Sequence, residues 1–211
     1  MNQAKLRATR PAAKENELFF RQWLRSPKSM GAVAPSSKIL ARAVSEAVVW
    51  QPGQTVVDLG AGTGSITQGL LDAGLPPEAI VSIELDEPLF EYLRQNYPQC
   101  TVLNADATQL VEVLREAGVE RVSTVISGLP MITMPLRIQR AVIEQSFAAL
   151  GPQGCLLQYS YSPVAPIPAR KLGVEAKLVK FVVRNLPPAT VWRFWPAKGN
   201  GWAQDTTHGR A

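Results

Sequence analysis

Cysteine and histidine are scarce in this chain, which has two of the first, Cys100 and Cys155, and one of the second, His208. The two thiols begin two different predicted strands and form neither a redox pair nor a metal-ligand spacing. They read as buried thiols of a reducing compartment, and no metal site is expected. The lone imidazole lies in the C-terminal tail, which leaves the core without a histidine base. No segment approaches the ~20 continuous apolar residues of a helical membrane span, and no signal peptide is visible. The expectation is a cytoplasmic protein, or one attached to a membrane from that side. Acidic residues are few near the start: residues 1–42 carry nine Lys and Arg against two Glu, a net +7, while the remainder carries thirteen against fifteen, a net −2. An anionic partner therefore meets the N-terminal segment.

What is present suits one α/β domain. With 211 residues, 46% apolar and 18% charged, the chain can bury a sizeable core. After Pro11, Ala12 to Arg25 holds good helix formers and ends before Pro27. At helical spacing Phe19, Phe20, Trp23 and Leu24 share a broad face with Ala12 and Ala13, and Lys14, Arg21 and Arg25 cluster opposite. Asn16 and Leu18 depart from this division. An aromatic face beneath a basic strip predicts an interfacial helix on an anionic bilayer. A second helix is predicted from Ser36 to Val49, with Ser36 or Ser37 as N-cap. Its Ile39, Leu40, Ala43, Val44, Ala47 and Val48 face a core.

From there strands and helices alternate. Strands are predicted at Thr55 to Leu59, Ile80 to Leu85, Cys100 to Asn104, Val122 to Ser127 and Cys155 to Tyr161. Helices fall at Ile66 to Ala73, Pro88 to Asn96, Val111 to Ala117 and Pro135 to Leu150, three of them stopped by Gly74, Gly118 and Gly151. Such alternation implies a parallel sheet with right-handed crossovers. Leu178 to Arg184 and Thr190 to Trp195 then read as an antiparallel hairpin around Asn185 to Ala189. The expected organisation is an N-terminal membrane-binding helix and lid segment (1–35), a catalytic domain (36–197) and a disordered tail (198–211).

In open α/β sheets ligands sit beyond the carboxyl ends of the strands. The first strand ends at Asp58 and breaks into Gly60-Ala61-Gly62-Thr63-Gly64, where glycines permit positive φ and close backbone approach to a ligand. The third glycine is one residue early for a pyrophosphate fingerprint, and no Lys follows as in a P-loop. The second strand ends at Glu84, a carboxylate able to accept both ribose hydroxyls. The third runs into Asp106, which could accept an adenine amino group. Asp58 with a third glycine at this spacing resembles the first motif of S-adenosylmethionine-dependent methyltransferases with a Rossmann-like fold, whose mostly parallel seven-stranded sheet ends in an antiparallel hairpin.

The fourth strand ends Ser127-Gly128-Leu129-Pro130-Met131. Amino-methylating enzymes of this kind carry there an Asn/Asp-Pro-Pro-Tyr type motif, so Ser127 replaces the amide or acid and Met131 the stacking aromatic. With the segment from Phe19 to Ser37, which includes Arg21, Trp23, Arg25 and Lys28, the chain over roughly residues 15–197 resembles the bacterial phospholipid N-methyltransferases. The resemblance implies S-adenosylmethionine contacts from Asp58, Gly60, Gly62 and Glu84, with Asp106 at the adenine and Gly64 in the same turn. It also implies stepwise methylation of phosphatidylethanolamine towards phosphatidylcholine, S-adenosylhomocysteine as product, and peripheral association with the inner face of the bacterial cytoplasmic membrane. Phe19, Phe20, Arg21, Trp23, Arg25 and Lys28 then meet membrane phospholipids, and nucleic acid is not a partner. Arg137, Arg170 and Lys171 are the candidates for a lipid phosphate.

Methyl transfer from a sulfonium to an amine gains from positioning and water exclusion. The ammonium must first lose a proton; desolvation lowers its pKa, and Ser127, its backbone carbonyl or Tyr159 takes the hydrogen bond. Tyr159 and Tyr161, two apart at the end of the fifth strand, offer cation-π contact to the methylated amine. The principal rival is an RNA adenine N6-dimethyltransferase, whose phosphate contacts would explain the basic N-terminus. A non-enzymatic membrane adaptor would need none of Asp58, Glu84 or Asp106.

Overall fold

The computed structural model describes residues 35–197. The predicted interfacial helix, with Phe19, Phe20, Arg21, Trp23, Arg25 and Lys28, lies outside the described residues, as does the tail from Lys198. Among the described residues no helix is long and apolar enough to cross a membrane.

The elements run α1 (Pro35–Ser45), β1 (Thr55–Leu59), α2 (Ser65–Asp72), β2 (Ile80–Glu84), α3 (Glu87–Asn96), β3 (Thr101–Asn104), α4 (Leu110–Glu116), β4 (Val122–Ser127), α5 (Leu136–Ala149), β5 (Leu150–Ser160), α6 (Ala169–Leu172), β6 (Val174–Val182) and β7 (Ala189–Pro196). They build a seven-stranded sheet in the order β3-β2-β1-β4-β5-β7-β6. The first five strands are parallel, and β7 is antiparallel to both β5 and β6. The expected class is the one observed, a mostly parallel seven-stranded α/β sheet closed by an antiparallel pair.

Burial on both faces explains the β-branched runs. Val57 and Leu59 join a core with α4 and α5 (Leu110, Ile138, Val142). Val56 faces the other way into a core with α1, α2 and α3 (Val44, Leu70, Leu93). A strand buried on both sides reads as continuous apolar sequence, with Asp58 as the conspicuous interruption. The strand order reverses between β1 and β4, which opens a crevice at their carboxyl ends, the usual place for a ligand.

Several expected boundaries move. Helix α1 begins at Pro35, so Ser36 and Ser37 lie in its first turn instead of capping it; proline's fixed φ suits that first position. Helix α5 passes into β5 at Leu150, and the stop expected at Gly151 falls inside the strand. β5 ends at Ser160, so Tyr161 is on a loop. β6 starts at Val174, earlier than Leu178, because pairing with β7 outweighs the weak strand propensity of Glu175, Ala176 and Lys177.

Candidate active site

The turn after β1 is held from both sides. Gly60 and Ala61 donate N–H groups to the Ile83 carbonyl at 2.9 and 3.2 Å, and Gly64 donates to Ala61 at 2.8 Å. Gly60, Gly62 and Gly64 have φ of +70°, +58° and +81°, values that L side chains rarely adopt. A Cβ on Gly60 would lie 2.6 Å from Leu129 Cδ2, so this glycine seats the β1 turn against the β4 turn. Gly64 abuts the Tyr97 ring and Leu93, giving it a packing role against α3 and its C-cap. At Gly62 a Cβ would meet nothing nearer than the Gly60 carbonyl at 4.0 Å. No side chain caps the N-terminus of α2, which follows at once.

Glu84, 6% exposed, ends β2 beside this turn. Its Oε2 accepts the Gly62 N–H and its Oε1 the Asp86 N–H, both at 2.9 Å. One bond per oxygen fixes the carboxylate while leaving each oxygen capacity for a hydroxyl donor. Burial pushes its pKa up, with these N–H bonds opposing. Asp106 is 6% exposed; Oδ1 accepts the Thr108 N–H at 2.8 Å, and Oδ2 is buried without a partner.

Asp58 is fully buried. Its Oδ2 accepts from the Thr67 hydroxyl at 2.9 Å, which also meets Ser82 Oγ at 2.8 Å, and its Oδ1 has no partner. Burial raises its pKa to about 7; the Thr67 bond opposes the rise, and the nearby Glu84 charge adds to it.

Gly60, Glu84, Leu85, Ala105, Ala107 and Leu129 line a narrow cleft between these groups. Its apolar walls suit a flat ring, and the surrounding carboxylate oxygens are acceptors awaiting donors. S-adenosylmethionine supplies a methyl group on a sulfonium, and presents an ammonium, two ribose hydroxyls and an adenine amino group. Cation and donors match the acid set, including the two orphaned oxygens of Asp58 and Asp106, so these residues fit that molecule.

In the turn after β4, Ser127 is 1% exposed and its Oγ accepts the Leu129 N–H at 3.4 Å, shaping the turn. Met131 is 1% exposed, built into the α4–α5 core. The Tyr159 hydroxyl lies against Gly128, where a Cβ would overlap it. Burial holds that phenol well above its ordinary pKa. Tyr161 is 55% exposed, so the two tyrosines do not form one strand face. Arg137 is exposed on the first turn of α5.

Two residues that brace the site escaped sequence reasoning. Gln158, 1% exposed, donates Nε2 to the carbonyls of Leu129 and Tyr159, both at 2.9 Å, and its Oε1 is buried without a partner. It ties the turn after β4 to β5. A polar amide inside an apolar strand was the available signal. Thr67, which orients Asp58, reads in sequence as one more residue of a helix.

A family model described as ribosomal RNA adenine dimethylase matches residues 14–131. The chain belongs to that family. It is an S-adenosylmethionine-dependent N-methyltransferase. The methyltransferase is 32% identical over 176 residues to an ornithine lipid N-methyltransferase of Singulisphaera acidiphila, covering 82% of this chain and 91% of that protein. It is 29% identical over 177 residues to ribosomal RNA small subunit methyltransferase A of Cupriavidus metallidurans, 72% of this chain and 59% of that one. The namesake in a Hydrogenobaculum species shares 31% over 85 residues, 40% of this chain and 33% of that protein. Among solved structures, the fold resembles magnesium protoporphyrin IX methyltransferase of Synechocystis with bound S-adenosylmethionine (TM-score 0.63, 14% identity, 92% of this chain and 100% of that one). It also resembles a glycopeptide N-methyltransferase complexed with S-adenosylmethionine (TM-score 0.61, 15% identity, 82% and 99%).

Proposed function

We propose that this methyltransferase methylates the primary amine of an amino lipid, phosphatidylethanolamine in particular, at the inner face of a bacterial membrane. One observation carries the reading. The likeness to a lipid N-methyltransferase runs through 91% of that protein, acceptor half included, whereas the likeness to the two ribosomal RNA methyltransferases covers 59% and 33% of them. The acceptor turn agrees: Met131 is buried, so the turn itself offers no ring on which a purine could stack.

In this reading Glu84 receives the ribose hydroxyls, Asp106 Oδ2 the adenine amino group, and Asp58 faces the cationic methionine end across the Gly60–Gly62 turn. Tyr159, kept neutral by burial, offers its oxygen to the amine, and Gln158 holds the turn that positions it. Closure of apolar side chains around the amine favours its neutral, nucleophilic form. Arg137 meets the lipid phosphate, and residues 1–35 with Phe19, Phe20, Arg21, Trp23, Arg25 and Lys28 anchor the protein to anionic lipid.

Adenine methylation in RNA is the second reading, favoured by the family match and the net charge of +5. Labelled S-adenosylmethionine, offered with phosphatidylethanolamine vesicles and separately with ribosomal RNA, decides between them. Label in lipid alone is expected; label in RNA alone overturns the proposal.

A further inference from the structure

Six large apolar side chains stand exposed on three segments: Ile132 and Leu136 after β4, Tyr161 and Val164 after β5, and Val183 and Leu186 in the turn between β6 and β7. Their exposures run from 42% to 83%. The topology brings all three segments to one edge. β4 and β5 are parallel and end there. β7 starts there, with Thr190 opposite Ser160, and β6 ends there, with Val182 opposite Ala189. The Thr190 hydroxyl donates to the carbonyls of Ser160 and Ser162 at 3.3 and 2.8 Å, joining the hairpin to the loop after β5. This is the edge where the Ser127–Met131 turn and Tyr159 lie.

The chemistry of the rim is uniform. Segments 128–137, 161–168 and 183–188 contain no Asp or Glu, two Arg (Arg137 and Arg184) and seven prolines. Proline has no N–H to strip of water, so loops rich in it lose less on entering an apolar medium. The tip is also held in shape: buried Asn185 donates to the Pro187 carbonyl at 2.6 Å beneath Leu186, which is 83% exposed. The other half of the same edge is acidic, with Asp58, Glu84, Asp86, Glu87 and Asp106.

We propose that this rim seats the acceptor mouth in the boundary layer of an anionic phospholipid bilayer. The apolar tips enter the acyl margin, and the exposed Arg137 and Arg184 lie at phosphate level. An amino-lipid headgroup then reaches the acceptor turn without leaving the membrane. The inference rests on the amino-lipid reading and adds a second attachment, on the folded domain itself. Two arginines over three segments are sparse for a nucleic-acid surface, which draws its affinity from many phosphate contacts, whereas separated apolar tips around a mouth suit a fluid interface.

The test uses the full chain with an environment-sensitive fluorophore at Leu186→Cys or Val164→Cys, and at Glu120→Cys on the opposite edge as control. The native thiols Cys100 and Cys155 are buried. Vesicles of phosphatidylethanolamine and phosphatidylglycerol should shift the emission at 186 and 164 to the blue and leave 120 unchanged. Val164→Asp with Leu186→Asp should lower vesicle partitioning by at least about tenfold, with S-adenosylhomocysteine affinity retained as evidence of folding. Vesicle binding with unshifted probes, a blue emission already present without vesicles, undiminished partitioning of the double variant, or a response to ribosomal RNA in place of vesicles overturns the rim. If wild type methylates lipid while the rim probes stay silent, the rim alone fails. If the probes shift but no lipid is methylated, the amino-lipid reading fails and the docking stands.

Discussion

Asp58 places a carboxylate where the fold least tolerates one. Burial lifts its pKa to about 7, so between pH 3.8 and about 7 the folded protein holds a proton that the unfolded chain releases. The stability contributed by this group is complete below pH 3.8 and disappears as pH rises through about 7. Asp58→Asn removes the charge, so it should melt higher than wild type at about pH 8, by a margin that narrows as pH falls and closes towards pH 3.8. Ligand binding runs oppositely. S-adenosylhomocysteine carries an ammonium, which favours ionised Asp58, so wild-type affinity should rise by up to about tenfold per pH unit below about pH 7 and then level off. Calorimetric titration across that range should give a flat profile for Asp58→Asn.

Gln158 and Gly128 carry the acceptor-side predictions at this scale. Gln158→Leu leaves the Leu129 and Tyr159 carbonyls without their donor, each worth about 1–3 kcal/mol when buried unpaired. Because the turns after β1 to β3 furnish all of the cleft's lining except Leu129, kcat should fall more than S-adenosylhomocysteine affinity; equal losses in both would remove Gln158 from a positioning role. Gly128→Ala drives a methyl into the Tyr159 hydroxyl, an overpacking cost of ~1–3 kcal/mol. Tyr159→Phe in that background should restore part of the melting temperature, a non-additivity that a double-mutant cycle measures.

At the scale of elements, caps and pairings divide the work. Asp86 caps α3 by accepting the Leu89 N–H at 3.1 Å, and Glu87 and Pro88 open the helix behind it. Asp86→Ala should cost about 1 kcal/mol, a fall in melting temperature of roughly 2–4 °C for a domain of this size. The Asp86 N–H on Glu84 survives the change, so S-adenosylhomocysteine affinity should hardly move. Elements with periodic apolar residues were legible in the sequence: β1, β2 and β4 were foreseen within a residue at each end. Those that depend on a neighbour were not. The early start of β6 and the extension of β5 back to Leu150 come from hydrogen bonds with partner strands, which no local propensity records.

At the scale of the whole molecule, the sheet gathers residues from distant parts of the chain along one edge, acids over the first three strands and apolar tips over the rest. Sequence alone determined the alternation that makes a doubly wound sheet, the glycine turn, and the three acids at successive strand ends. These are local patterns, set by period, turn chemistry and the rule that strand ends bear ligands. Only the tertiary structure decided that Asp58 is orphaned on one oxygen, that the Ser127 hydroxyl accepts from its own turn, that Gln158 grips that turn, and that six exposed apolar side chains stand along one edge. Each of these depends on burial or on contact between segments far apart in sequence, which chain crossovers create and a linear pattern does not contain.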